Sequence, residues 1–332
     1  MRADHGSIGL LLTTFVIGTD DFVIAGTLPA VSADLEVSEG TAGQLVTVFS
    51  ITYAIACPIL AVAAGRVPRK MLIVGGLAVF AVVNFATALA PSFGTLMALR
   101  VLTALTLPRM PRTPVAGVAE RLLLLRRPPV LLCVPGTRFA ACGGLMPYIY
   151  MASVTHDLTG VGGRYVGVFV AIVGVSGAVG TVLGGRLTDR WGVDRTLLAA
   201  FGGVAAAALA LLVVGGIGQE TAPVWLVCLV LVLWRCQAGP TTPPMNARAM
   251  QMGGDAATEA VALNTSGLYA GIALAGTVGG GAVNTSGGVG VLVVACVAGL
   301  ITIVVMALSV RRYPSSRHAS VAGPTPEKAV TS

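Results

Sequence analysis

The chain has 332 residues, of which 55% are hydrophobic and only 11% charged. Soluble domains carry about 25% charged residues, so this composition excludes an ordinary soluble protein and points to one that crosses a membrane many times. The basic side is 19 Arg and 2 Lys against 14 acidic residues, a net charge of +7. In a membrane protein that excess reads as basic loops on one face of the bilayer, not as nucleic-acid binding.

Residues 1–7 are a short polar lead. The first apolar run, 8–30, contains Asp20 and Asp21 and is too long for the hydrophobic core of a secretion signal, so it reads as a span. Runs at 42–64 and 71–91 follow, joined by the basic turn Gly65-Arg66-Val67-Pro68-Arg69-Lys70, and a weaker run, 92–107, contains Arg100. Together, residues 1–107 read as a first, truncated helical bundle of four spans. Residues 108–128 are a basic linker. Six more runs, 129–151, 163–187, 196–217, 222–245, 259–283 and 288–310, make a second bundle over 129–310. The tail, 311–332, is polar and lacks the apolar residues for a core, so disorder is expected there. The fold class is therefore an all-α polytopic membrane protein of about 10 spans.

Charge fixes an orientation. With the N-terminus inside, the inner loops hold Arg66, Arg69, Lys70, the linker arginines, Arg186, Arg190, Arg195, Arg248 and the basic tail; the outer loops hold Asp34, Glu36, Glu39, Asp157, Glu220 and one basic residue, Arg164. The positive-inside rule then places both termini in the cytoplasm of a cell whose inner (plasma) membrane the chain spans. An even number of crossings follows, so the weak run 92–107 is expected to cross.

Chemistry-bearing groups are few. The six cysteines lie in or beside apolar runs with no C-x-x-C pair, and read as packing residues. The histidines are scattered, and no metal-ligand or nucleophile–base spacing occurs, so no cofactor and no enzyme activity is expected. A carboxylate inside a helix costs about 2.5–3.5 kcal/mol on the insertion scale, so Asp20 and Asp21 are candidates for function. Counted at 1.5 Å per residue, they lie roughly 18–20 Å from the inner surface and Arg100 roughly 12 Å from the outer one, depths that coincide in a core about 30 Å thick. An Asp–Arg pair in the first bundle is expected. Tyr148 and Tyr150 are two residues apart and point to different faces, so at most one suits a pocket. Asn264 reads as an interhelical hydrogen-bonding residue, and glycines 271, 276, 279, 280 and 281 as sites of close helix approach. Arg138 and Arg235 also lie within spans; snorkelling to the headgroups is the simpler reading, an anionic-substrate site the sharper one.

The stretch Gly184-Gly185-Arg186-Leu187-Thr188-Asp189-Arg190-Trp191-Gly192-Val193-Asp194-Arg195 reads as a tight charged loop between two spans. Its pattern, with Gly185, Asp189, Arg190, Gly192 and Arg195 at fixed spacing, resembles the signature gating loop of the major facilitator superfamily. A degenerate copy lies 124 residues earlier around Arg66, where Arg69 and Lys70 remain. Gly18 to Pro29, Tyr148-Ile149-Tyr150 and Ala262 to Gly267 resemble helices one, seven and eleven of the drug/proton antiporter branch that includes chloramphenicol and sugar exporters. The resemblance implies a monomeric secondary transporter that exports small amphipathic drugs or sugars by alternating access. Its energy source would be the proton gradient and its partners the lipid bilayer, a small-molecule substrate and the proton. Asp20, Asp21, Arg100, Tyr148 and Asn264 would line the coupling and substrate pocket. Counted from its first apolar residue, 8–107, the first bundle is 82 residues shorter than the second, 129–310, as if two helices were deleted near Leu105–Pro108. The alternative is therefore an impaired, non-transporting remnant. In that case Asp189 has lost the helix it would dock on, and is expected to pair locally or face water.

Overall fold

The architecture is given by a computed structural model that describes residues 26–63, 69–106, 127–162, 165–218 and 220–315. Asp20, Asp21, Arg66, most of the linker and most of the tail lie outside the described residues.

Among the described residues every element is helical, the form in which a membrane segment satisfies its backbone internally. Helix α1 covers 26–34, α2 Glu39–Ala63, α3 Arg69–Ala88 and α4 Phe93–Thr106. Then come α5 (Pro128–Ile149), α6 (Met151–Thr159), α7 (Val166–Trp191), α8 (Val193–Ile217), α9 (Val224–Ala238), α10 (Thr242–Gly253) and α11 (Ala257–Arg312). Among the described residues, five stretches are long and apolar enough to cross a membrane. They are α5, α7, α8, the run Val224–Gly253 through α9 and α10, and α11.

Local sequence explains the breaks. Pro128 and Pro129 open α5, where a missing N–H costs nothing. Pro147 weakens its end, and the chain kinks at Tyr150 (φ −104°, ψ 34°) before continuing as α6. Helix α6 stops at Gly160, whose φ of 68° suits a residue without Cβ. At 1.5 Å per residue the 56 residues of α11 would reach roughly 84 Å, far beyond one crossing of about 30 Å. The helix is in fact broken at Ser286 and Gly287 (φ 62°) into two limbs, 257–285 and 288–312. Asp157 Oδ2 accepts the Gly288 N–H at 2.6 Å, capping the second limb.

The charged stretch 184–195 is not a loop. Helix α7 runs through Gly185, Asp189 and Arg190 to Trp191, and α8 restarts at Val193; only Gly192 (φ 81°) leaves the helical region, and Arg195 sits in the first turn of α8. Polar residues do not end a helix: a helix that outgrows the hydrocarbon core keeps its backbone bonds and carries its charges in water. Asp189, Arg190 and Arg195 are exposed, and Asp189 makes no hydrogen bond or ion pair among the described residues.

Helix α7 also shows how the molecule meets its surroundings. Phe169, Val173, Ser176, Gly177 and Gly180 are buried on one face, while Val168, Val175, Val179 and Val182 are exposed on the other. An apolar stripe left uncovered along a whole helix is what a lipid-facing surface requires.

The first limb of α11 is the axis of the packing. It lies antiparallel to α2 and against α5. Glycine makes the approach possible: a Cβ on Gly276 would stand 3.1 Å from Gly43 O, one on Gly280 2.8 Å from Gly40 O, and one on Gly271 3.0 Å from the Arg138 carbonyl carbon. Gly279 faces Tyr150 and Met146. Gly281 differs from the expectation, since nothing lies within 4 Å of its Cβ direction.

Candidate functional site

A cavity of about 350 Å³ lies between α2 and α4 on one side and α5, α8, α9, α10 and the first limb of α11 on the other. That volume falls at the lower end of small-molecule sites. Helix periodicity delivers its walls. Leu45, Val46 and Phe49 come from one face of α2, and Leu268, Tyr269 and Ile272 from the facing side of α11.

Three of the predicted site residues meet here: Arg100 from α4, Tyr148 from α5 and Asn264 from α11 all line the cavity. Arg100 is 7% exposed and Asn264 3%. Asn264 Oδ1 accepts the Thr137 hydroxyl at 2.5 Å, an interhelical bond between α11 and α5. The two tyrosines divide as their spacing requires. Tyr148 turns to the cavity, while Tyr150 is buried between α5, α2 and α11 and donates its hydroxyl to the Gly276 carbonyl at 2.5 Å. Asp20, Asp21 and Arg66 fall outside the described residues; Arg69 and Lys70 open α3.

Arg235, for which the sequence left snorkelling and an anion site both open, sits in the cavity wall, with its guanidinium carbon 5.9 Å from the Tyr148 ring centroid. The signal was available in Gly177 of α7, which leaves the space that the Arg235 side chain occupies. Arg138 is exposed and lies away from the cavity.

Beside the cavity, α2 is bonded to its neighbours from its Glu39 end. The Ser153 hydroxyl donates to the Glu39 carboxylate, Gly40 N–H donates to Asn284 Oδ1 at 3.3 Å, and Thr47 donates to the Ala273 carbonyl at 3.3 Å. Deeper, Tyr53 of α2 packs on Tyr269 of α11 with ring centroids 4.3 Å apart. These contacts tie α2 to α6 and α11.

The opposite end carries a charge cluster that sequence reasoning missed. Arg248, counted as a loop residue, is fully buried in α10 and pairs with Asp194 at the start of α8. Its guanidinium also donates to Ser315 Oγ at 3.1 Å, Ser309 Oγ at 2.9 Å and the Tyr313 carbonyl at 3.0 Å. Asp194 in turn accepts Ser315 N–H at 2.8 Å and the Ser315 hydroxyl at 2.5 Å. The cluster ties α8, α10 and the end of α11 together.

The family model for the Major Facilitator Superfamily matches residues 10–111 and 104–275. The inner membrane transport protein YdhP of Escherichia coli is 22% identical over 391 positions, covering 95% of this chain and 98% of that protein. The chloramphenicol resistance protein of Streptomyces lividans is 34% identical over 96 residues, 29% of this chain and 24% of that one. In three dimensions the chain superposes on the nucleoside transporter NupG with a TM-score of 0.67 at 10% identity, covering 91% of this chain and 99% of NupG.

Proposed function

We propose that this chain, which belongs to the Major Facilitator Superfamily, is a proton-coupled exporter of small amphipathic compounds. It is a multi-pass membrane protein and a secondary transporter, not an enzyme. The observation that carries the finer reading is the cavity. It is walled from both sides of the molecule, apolar over most of its surface, and set with Arg100, Tyr148 and Asn264. Repeat-based transporters bind substrate between their halves and expose it by rocking one half against the other. In this reading the contacts at the Glu39 end act as one gate of such a cycle.

In this reading the Arg248 end is cytoplasmic, following the basic loops, and the protein acts as a monomer in the cell inner membrane. Asp20 or Asp21, paired with Arg100, takes up a proton when desolvated and releases it when re-paired. Export of a chloramphenicol-like compound is supported by the similarity to the Streptomyces lividans protein. The test is drug accumulation in an efflux-deficient bacterium expressing the chain, with and without a protonophore. Lowered accumulation that the protonophore abolishes is the expected result. Unchanged accumulation would dispose of the export reading, and unchanged efflux by Asp21→Asn would dispose of the coupling role.

Length favours a second reading. The match to YdhP runs over 391 positions but takes in 95% of the 332 residues, about 315, so about 76 of its positions have no counterpart in this chain. That shortfall supports a first bundle lacking about two helices, located near Leu105–Pro108, and a transporter impaired by the loss. Restoring the missing helices should then raise drug export; equal export by both forms would sink it.

A further inference from the structure

The lipid-facing stripe of α7 does not end where its apolar residues end. Successive residues of an α-helix turn by about 100°, so the exposed residues Val168, Ala171, Val175, Val179 and Val182 share one face, within about 50° of its centre. Arg186 and Arg190, also exposed, continue that face four and eight residues beyond Val182. At 1.5 Å per residue the apolar stripe extends over about 21 Å, and the two arginines follow it at about 6 and 12 Å. Among the described residues neither arginine makes an ion pair or a side-chain hydrogen bond. Asp194, the carboxylate of α8, is committed to Arg248 and Ser315. Asp189 is exposed but stands about 100° from Arg190, on the flank of the stripe. Trp191, 54% exposed, adds a ring of the kind that settles at headgroup level, and Arg195 lies exposed just past the Gly192 corner.

We propose that Arg186 and Arg190 together hold the phosphodiester of one anionic diacyl phospholipid whose chains lie along Val175, Val179 and Val182. Two guanidiniums one turn apart on a single face can both donate charge-assisted hydrogen bonds to one phosphate. A zwitterionic lipid offers the same phosphate, but its choline brings a cation that the arginines repel, so the site selects net negative headgroups. The second limb of α11 lacks this arrangement. Its exposed stripe, Val304 and Leu308, meets Arg311 and Arg312, which are adjacent in sequence and so splay about 100° apart. The proposal requires that this face of α7 meet lipid, and it is independent of what the protein transports.

The test compares dioleoyl phosphatidylglycerol with dioleoyl phosphatidylcholine, equal in chains and different in charge, by native mass spectrometry of the purified full chain in a non-ionic detergent. The wild type is expected to retain one phosphatidylglycerol at least 5-fold more than phosphatidylcholine. The double variant Arg186→Gln with Arg190→Gln should bring that ratio close to one. Arg311→Gln with Arg312→Gln removes the same charge from the other stripe and should leave the ratio near the wild-type value. Equal retention of the two lipids by the wild type overturns the proposal. So does an unchanged ratio in the α7 variant, or an equal loss in the α11 variant, which would mean that net charge alone attracts the lipid. The wild-type comparison needs no variant, so a folding defect in either double variant leaves it decisive.

Discussion

Asp194→Asn and Arg248→Met remove opposite partners of the same buried pair, and the structure predicts unequal costs. The Arg248 side chain is 0% exposed and that of Asp194 17%. Without Asp194, the buried cation keeps only neutral acceptors, the Ser309 and Ser315 hydroxyls and the Tyr313 carbonyl. Stranding a buried charge costs about 3–5 kcal/mol. Without Arg248, Asp194 still accepts the N–H and hydroxyl of Ser315 and lies in the first turn of α8, where the helix dipole favours an anion by about 0.3–1 kcal/mol. Its loss of one charged partner should cost about 1–3 kcal/mol. Reversible unfolding in mixed detergent micelles, followed by far-UV circular dichroism, measures both variants and the double variant. The double variant should be less destabilised than the sum of the singles by at least about 1 kcal/mol. If Asp194→Asn proves no more destabilising than Arg248→Met, the reasoning from unequal burial is wrong.

Four further outcomes follow from named contacts. Gly276→Ala drives a methyl into Thr47 and the Gly43 carbonyl and should lower the yield of folded protein, whereas Gly281→Ala meets nothing and should match the wild type in a thermal-stability assay. Tyr150→Phe gives up the bond to the Gly276 carbonyl at a cost of about 1 kcal/mol, read by the same unfolding measurement. Asp157→Ala uncaps the second limb of α11 and should cost about 0.5–2 kcal/mol, with faster amide exchange at Gly288 as its local signature. Asn264→Leu leaves the Thr137 hydroxyl only its 3.2 Å contact to the Cys133 carbonyl; it should lower drug export more than it lowers stability, because Asn264 also lines the cavity.

Much of this was legible in the sequence because lipid imposes simple rules. An apolar run of span length has few options but a helix, and the all-α class follows. Tyr148 and Tyr150 could be divided by helical angle alone. Asn264, a polar residue in a span, had to find a partner, and Thr137 is that partner. What could not be read is where water ends. Charges at 184–195 looked like a loop, but a helix that leaves the core carries charge freely, and one glycine makes the corner. Arg248 and Asp194 were each plausible surface residues; only the folding together of α8, α10 and α11 buries one against the other. The sequence could not decide between the two readings of Arg235, because snorkelling depends on what lies beside the side chain, and its room is provided by Gly177 on a different helix. Gly281 belongs to the same glycine run as its neighbours but points away from α2, a matter of helical phase.

The break at Ser286 and Gly287 has a consequence for how the chain meets the bilayer. Two apolar helical limbs are joined there by two non-helical residues and no connecting loop. A joint that short ties the start of the second limb to within a residue or two of the end of the first, so the two limbs share one membrane surface at that point. A stop codon placed between them would remove the second limb and leave the first without the neighbour that follows it directly in the chain.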